Sequence, residues 1–116
     1  MREGTTKMLD LTLGLAAFDA KDYLNAFRLL KLIADQGNAE AQCLIGNMYH
    51  LALGIERNIL EAVKWYKKSA NQGYGVASNN LAEIFRVGDH GVDIAPAEAE
   101  KWYQKAREQG FLHTRA

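Results

Sequence analysis

The sequence is short of several things, and each shortage closes off a class of protein. It carries one cysteine, Cys43, so no disulfide can form within the chain and the fold does not depend on an oxidising compartment. It has one proline, Pro96, and Ala and Leu are abundant, which argues for helices rather than strands and turns. Neither sign of charge is in excess, because fourteen Lys and Arg balance fourteen Asp and Glu. A nucleic-acid or anionic-membrane surface needs a basic excess, so this balance argues against both. No run approaches the ~20 apolar residues of a membrane span. The apolar run Met8–Phe18 follows Arg2 and Lys7 in the manner of a secretory leader. Asp10 interrupts it, however, and Leu13, Gly14 and Phe18 belong to a repeat pattern. The segment therefore reads as a first helix. The expected location is the cytoplasm, or the periplasm or exterior if a leader has been trimmed away.

What is present is a period. Three segments end alike, LIADQG at Gly37, KSANQG at Gly73 and KAREQG at Gly110, at intervals of 36 and 37 residues. Between them WYKKSA at Trp65–Ala70 is echoed by WYQKAR at Trp102–Arg107, and Ala62 by Ala99. A fixed period of this length marks a solenoid, whose units bury their apolar faces on one another. The expected fold is all-α: an α-α superhelix of three helix-turn-helix repeats with six helices. Residues 1–116 form one domain with units about 7–37, 38–73 and 74–110 and a tail 111–116. Its 116 residues, 48 % of them hydrophobic, suffice for one core.

Residues Met1–Thr6 are polar and read as a frayed end. The first helix is expected over Lys7–Asp19 with Leu9, Leu13, Ala16 and Ala17 on its buried side. Asp22 is placed to cap the second helix, which buries Ala26, Leu29, Leu30 and Ile33 and ends at Gly37. Asn38 caps the third, with Ala41, Leu44, Ile45, Met48 and Tyr49 inward. Asn58 followed by Glu61 resembles a capping box before the fourth, which buries Ala62, Trp65, Tyr66 and Ser69. Ala77, Leu81, Ile84 and Phe85 repeat the stripe in the fifth. Pro96 suits the first position of the sixth, where a missing N–H costs nothing. Ala95 before it lacks a side-chain acceptor, which Asp93 is placed to supply.

Small residues mark where paired helices approach closely: Gly14, Gly46 and Ala82 at one equivalent position, Ala26, Ala62 and Ala99 at another. The spacing between them is 12 residues in the first unit, 16 in the second and 17 in the third. The first unit, with Leu13-Gly14, Tyr23 and Ala26, resembles a tetratricopeptide repeat. The second resembles the Sel-one-like repeat through Ala41-Gln42, Ile45-Gly46, Tyr49, Gly54-Ile55 and Ala62-Val63-Lys64-Trp65-Tyr66. That family is a tetratricopeptide relative with a longer loop between its helices, and the likeness covers about residues 7–110. It implies an adaptor or scaffold, in bacteria often concerned with envelope, secretion or host contact. The chain departs from the pattern at Ala52, where glycine is usual, at Asn80, which replaces the leucine of Leu44, and at Ala95, where an acidic cap is usual.

Little in the chain points to chemistry. His50, His90 and His113 lie far apart and share no ligand spacing. Cys43 and His50 share a helix face but stand about 10 Å apart at 1.5 Å per residue, too far to hold one zinc. Cys43 has no acid–base partner nearby in sequence and reads as packing rather than nucleophile. No strand precedes a glycine-rich loop, so phosphate binding lacks its scaffold. Glu98, Glu100 and Glu108, interleaved with Lys101, Lys105 and Arg107, read as a solvated face. The Trp65-Tyr66 and Trp102-Tyr103 pairs recur at repeat spacing and read as core. No cofactor, metal or catalytic activity is expected.

The expected function is a protein-interaction module that takes a peptide or protein partner in a concave groove walled by the first helix of each pair. By helical phase that wall carries Leu11, Leu15 and Phe18 in the first unit, Glu40, Cys43, Asn47 and His50 in the second, and Asn79, Glu83 and Arg86 in the third. Its polar end, Asn47, His50, Asn79, Glu83 and Arg86, is the candidate site, since amides and a guanidinium suit an extended peptide or partner helix. An ordinary wetted surface would look the same. Contact at the apolar end, or on the flank near Trp102 and Phe111, is the competing placement. The alternatives for function are a structural subunit that self-associates through the solenoid ends and an immunity- or inhibitor-type protein that binds a toxin or enzyme.

Overall fold

The computed structural model describes the backbone of residues 2–111 and the side chains of residues 10–111. Leu9, and residues 112–116 with His113, fall outside the described side chains. Six helices follow one another: α1 (Arg2–Asp19), α2 (Tyr23–Asp35), α3 (Ala39–Leu51), α4 (Ile59–Ala70), α5 (Gly75–Val87) and α6 (Pro96–Glu108). Each packs chiefly on its neighbours in sequence, α1 on α2, α2 on α3, and so on to α6. That is how a solenoid buries its faces. Among the described residues the nearest thing to a strand is a single bridge between Asp89 and Val92 in the α5–α6 loop.

The ends of the units are made as the sequence implies. Gly37, Gly73 and Gly110 have φ of 102°, 96° and 93°, a left-handed conformation that costs glycine nothing. The next residue in each case donates its N–H back to a carbonyl five residues earlier: Asn38 to Ile33, Tyr74 to Ser69 and Phe111 to Ala106. This closes the helix with a Schellman motif. The glutamines beside these glycines lace the units together. Gln72 Nε2 donates to the Gly37 carbonyl at 2.7 Å and to Gln42 Oε1 at 2.8 Å. Gln109 donates to the Ala70 carbonyl at 3.0 Å and accepts from Ser78 Oγ at 2.6 Å.

The caps divide. The Asn38 and Asn58 side chains accept from the N–H of Ala41 and Glu61, as expected. The capping box at Asn58 is only half made, because the Asn58 N–H donates to the Tyr49 carbonyl instead. Asp22 stands at the α2 cap without a side-chain cap bond, and its carboxylate accepts from Asn25. Ala95 likewise has no side-chain cap, and its N–H donates to the Phe85 carbonyl.

Two expectations about α1 are corrected. The helix starts at Arg2, well before Lys7. Its inward stripe is Leu11, Leu15, Ala17 and Phe18, which pack on the core around Leu30 and Ile45, while Leu13 is 47 % exposed and Ala16 is exposed. Both stripes are apolar and helically spaced, so periodicity alone cannot choose between them. In the remaining stripes Ala26, Leu30 and Ile33, then Ala41, Ile45 and Met48, then Ala62, Trp65, Tyr66 and Ser69, then Ala77, Leu81 and Ile84 are buried, whereas Leu29, Leu44, Tyr49 and Phe85, also expected inward, are only half-buried at the edges of their stripes.

Candidate functional site

The residues expected to line a polar groove are gathered around two tyrosine hydroxyls. Tyr66 on α4 is buried, and its ring lies where a side chain at residue 46 would stand. A Cβ on Gly46 would come within 2.6 Å of the ring, so only glycine lets α3 and α4 meet. The ring is thereby aimed at the open edge of α3. Its hydroxyl donates to Asn47 Oδ1 at 2.6 Å and lies 3.3 Å from His50 Nδ1. A hydroxyl has one proton, and Asn47 takes it, so Nδ1 must carry its own proton and donate to the tyrosine oxygen. His50 Nε2 is then left as an acceptor.

The third unit repeats this with charges. Tyr103 on α6 donates to Glu83 and accepts from Arg86 Nε at 3.2 Å, while Arg86 also pairs with Glu83 at 2.7 Å. Glu83 therefore stands in for Asn47 and Arg86 for His50. Asn80 ties the two sets together across the units, donating to Asn47 Oδ1 at 3.2 Å and lying 3.8 Å from Cys43 Sγ.

Electrostatics follow from burial. Burial pushes the Tyr66 hydroxyl above its ordinary range and lifts the Cys43 thiol to about 12. A thiol held that far up is protonated and inert as a nucleophile. Burial, then the positive charge of Arg57, lowers His50 below its usual value, so it is neutral at pH 7. Arg57 reaches it by donating from Nε to the His50 carbonyl at 3.0 Å, while its terminal amine pairs with Asp89 of the next unit's loop.

Of the predicted site residues, Asn47, His50, Glu83 and Arg86 are thus brought into hydroxyl-centred sets. The Asn79 side chain makes no hydrogen bond among the described residues, and its Oδ1 is buried without a partner. Trp65 and Trp102 hold similarly unpartnered indole nitrogens, but both rings lie in the core between units. Cys43, expected on the wall, is 2 % exposed and belongs to that core. Leu11, Leu15 and Phe18 are half-buried, packed against the core of the first two units. Trp102, at 5 % exposed, is no exposed flank. The tyrosines and Asn80 were the parts of this arrangement hardest to see in the sequence. The tyrosines read correctly as core, and Asn80 read only as a loss of apolar surface. The signal that could have found them is co-variation between units: where Tyr66 and Tyr103 stand the polar pairs follow, and where Leu30 stands, Leu15 and Phe18 follow.

Helical pairs stacked in sequence order, each closed by a Gln-Gly turn and offering a row of side chains rather than a deep cavity, define an α-solenoid repeat protein. Sel1 repeats match at residues 16–38, 39–74 and 75–111, and the chain belongs to the Sel1 repeat family. The first match begins inside α1, where the unit has its shorter, tetratricopeptide-like spacing. Among solved structures, a protective antigen of uropathogenic Escherichia coli displaying an SLR fold superposes with a TM-score of 0.85 at 31 % identity. The match covers 90 % of this chain and 23 % of that one. A Sel1 repeat protein from Oxalobacter formigenes gives 0.79 at 40 % identity, over 84 % and 40 % of the two chains. The DAP3-binding cell death enhancer 1 of Rattus norvegicus is 36 % identical over 66 residues, 57 % of this chain and 13 % of that protein. The chitin synthase regulatory factor 3 of Schizosaccharomyces pombe is 36 % identical over 67 residues, 57 % of this chain and 7 % of that protein. The chain thus spans a small part of the length of these relatives. Sel1 repeat proteins generally mediate protein–protein interactions and are typically scaffolds rather than catalysts. Among the described residues no helix is long and apolar enough to cross a membrane.

Proposed function

We propose that the row Asn47, His50, Asn79, Glu83 and Arg86 is the partner-binding surface of a bacterial adaptor, and that its partner is an extended peptide segment of another protein. The observation that carries this reading is the Asn79 amide. A buried acceptor left unmade costs about 1–3 kcal/mol. At the equivalent position of the second unit, Cys43 lies against the side-chain amide of Asn80 from the next unit, whereas the buried Asn79 Oδ1 has no hydrogen-bond partner among the described residues. An incoming peptide N–H answers that need. Asn47 Nδ2 and His50 Nε2 are likewise without bonds to the described residues, one a donor and one an acceptor, as a peptide backbone requires. Glu83 and Arg86 neutralise each other, so the row selects for hydrogen bonding more than for charge. Likeness to two bacterial solved structures supports the bacterial setting. An immunity-type role, with a toxin as the partner, is a special case of the same reading.

The test begins with a partner captured from the native host. Asn79→Ala should weaken binding about ten-fold, the value of roughly 1.4 kcal/mol, while leaving the melting temperature unchanged or slightly raised. Removing an unsatisfied amide cannot destabilise through a lost bond, so affinity and stability move apart. Full affinity in Asn79→Ala and Arg86→Ala, with loss on substituting Phe111 instead, would move the contact to the flank of the last pair.

A further inference from the structure

His50 is the histidine of the polar row, and histidine is the side chain whose hydrogen-bonding sense reverses near neutral pH. Its equivalent in the third unit is Arg86, which only donates, and in the first it is Phe18, which does neither. What fixes the direction of the change is the ring nitrogen turned towards α4. Tyr66 donates its only proton to Asn47 Oδ1 at 2.6 Å. Asn80 donates to the same oxygen at 3.2 Å, which holds that amide with its oxygen towards the hydroxyl. His50 Nδ1, 3.3 Å from the Tyr66 oxygen, therefore carries a proton whether the ring is neutral or charged. An added proton has only Nε2 to go to. Acid thus leaves the Tyr66–Asn47 set as it is and changes the other side of the ring alone, from acceptor to donor.

The charged and titratable groups that face the ring come from three elements: Tyr66 from α4, Arg57 from the α3–α4 loop and Asp89 from the α5–α6 loop. Tyr66 stays protonated, since burial pushes its hydroxyl up. Arg57 and Asp89 pair with one another, and that bond holds the Asp89 carboxyl below its ordinary range. Both keep their charge in mild acid, so His50 is the member of this set that titrates there.

We infer that partner binding at the Asn47–Arg86 row is gated by acid through His50: unprotonated, Nε2 accepts an N–H of the partner peptide, and protonated, it sets a second donor against that N–H and expels it. The inference rests on the reading of this row as the partner site. Proton and peptide compete for one lone pair, so each disfavours the other. A peptide seated on Nε2 also buries the half-buried ring further, and burial disfavours the imidazolium. The third unit has no such gate, because Arg86 keeps its charge throughout.

Peptides selected near pH ~7.5 from a random library without histidine serve as probes, keeping those whose affinity for the full chain falls with Asn79→Ala. Their Kd should be flat above pH ~6.5 and should rise below the folded pKa of His50. The rise approaches about ten-fold per pH unit, the limit for one competing proton. His50→Gln, whatever its affinity near neutrality, should give a Kd that no longer changes with pH. Arg57→Gln removes a positive charge and frees the Asp89 carboxylate, both of which favour the imidazolium, so the break should move to higher pH. NMR of the His50 ring in the free chain should show the Nδ1–H tautomer. A flat Kd in the unaltered chain, tighter binding in acid, or a slope that survives His50→Gln overturns the gate while leaving the partner site standing. The absence of any peptide sensitive to Asn79→Ala overturns the reading of the row, and the gate with it.

Discussion

The first and second units build the same junction from opposite materials. In the second, Gly46 admits the ring of Tyr66, whose hydroxyl needs partners and finds Asn47 and His50. In the first, Gly14 admits Leu30, which has no hydroxyl, and the equivalent partners are Leu15 and Phe18, packed on the same cluster. The third unit returns to tyrosine with Ala82 at the small position and Glu83 and Arg86 as partners. A buried hydroxyl must be satisfied, and a buried apolar chain must not face polar groups, so the positions change together. The polar row that marks the candidate site is therefore a consequence of which side chain plugs the junction.

That comparison can be broken most forcefully at the small position. Gly46→Ala sets a carbon against a rigid ring and should destabilise by ~1–3 kcal/mol through overpacking. Gly14→Ala meets the aliphatic Leu30 side chain, at 2.7 Å from Cδ2 and 2.9 Å from Cγ, which can yield by rotation where a ring cannot, and gains helix propensity. Its denaturant midpoint should fall distinctly less. Equal losses at the two sites would mean that the ring is not what the second unit accommodates.

A smaller effect is expected where the first helix of each unit ends. Each unit needs a left-handed residue there: Lys21 at φ 62°, Ala52 at 57° and Gly88 at 74°. Ala52 is the departure from the family pattern noted in the sequence, and it carries strain that glycine would not. Ala52→Gly should stabilise by about 1 kcal/mol, against a small loss from the freer unfolded chain. A lowered midpoint would show that the strain is absent. The Ala62→Leu change at the helix crossing, where Ala62 is wholly buried, should by contrast cost ~1–3 kcal/mol.

The smallest effect is in pH dependence. His50 has a folded pKa below its unfolded value of about 6.5, so in the interval between them the unfolded chain binds more protons. The contribution of neutral His50 is complete above pH ~6.5 and is lost as pH falls through the folded value. Stability measured downward from neutrality should decline, and His50→Gln should flatten that part of the curve. The first unit, with Phe18 at this position, contributes no such slope.

Much of the fold was legible because helix ends and small residues are local signals. The Gln-Gly endings, Asn38, Asn58 and the Ala26, Ala62 and Ala99 positions all behave as their chemistry dictates. The phase of α1 was not legible, because Leu9-Leu13-Ala16 and Leu11-Leu15-Phe18 are equally apolar, and the choice between them depends on whether another unit covers the face. The site was half legible. Helical phase put Asn47, His50, Glu83 and Arg86 on one wall, but their tyrosine partners come from the other helix of each pair, 16 to 20 residues away in sequence. Cys43 followed the same phase as Asn47 and is nonetheless buried, because the third unit closes over it.

The most direct test of the exchangeable junction is a double-mutant cycle between Tyr66 and Asn47, read as denaturant midpoints with the slope held constant. Asn47→Ala alone should cost about 1–3 kcal/mol, because it strands a buried hydroxyl. In the Tyr66→Phe background, where no hydroxyl remains and only the Asn80 amide loses its acceptor, the same substitution should cost less. Strictly additive losses would contradict the account, since they would mean that the row does not depend on the ring beneath it.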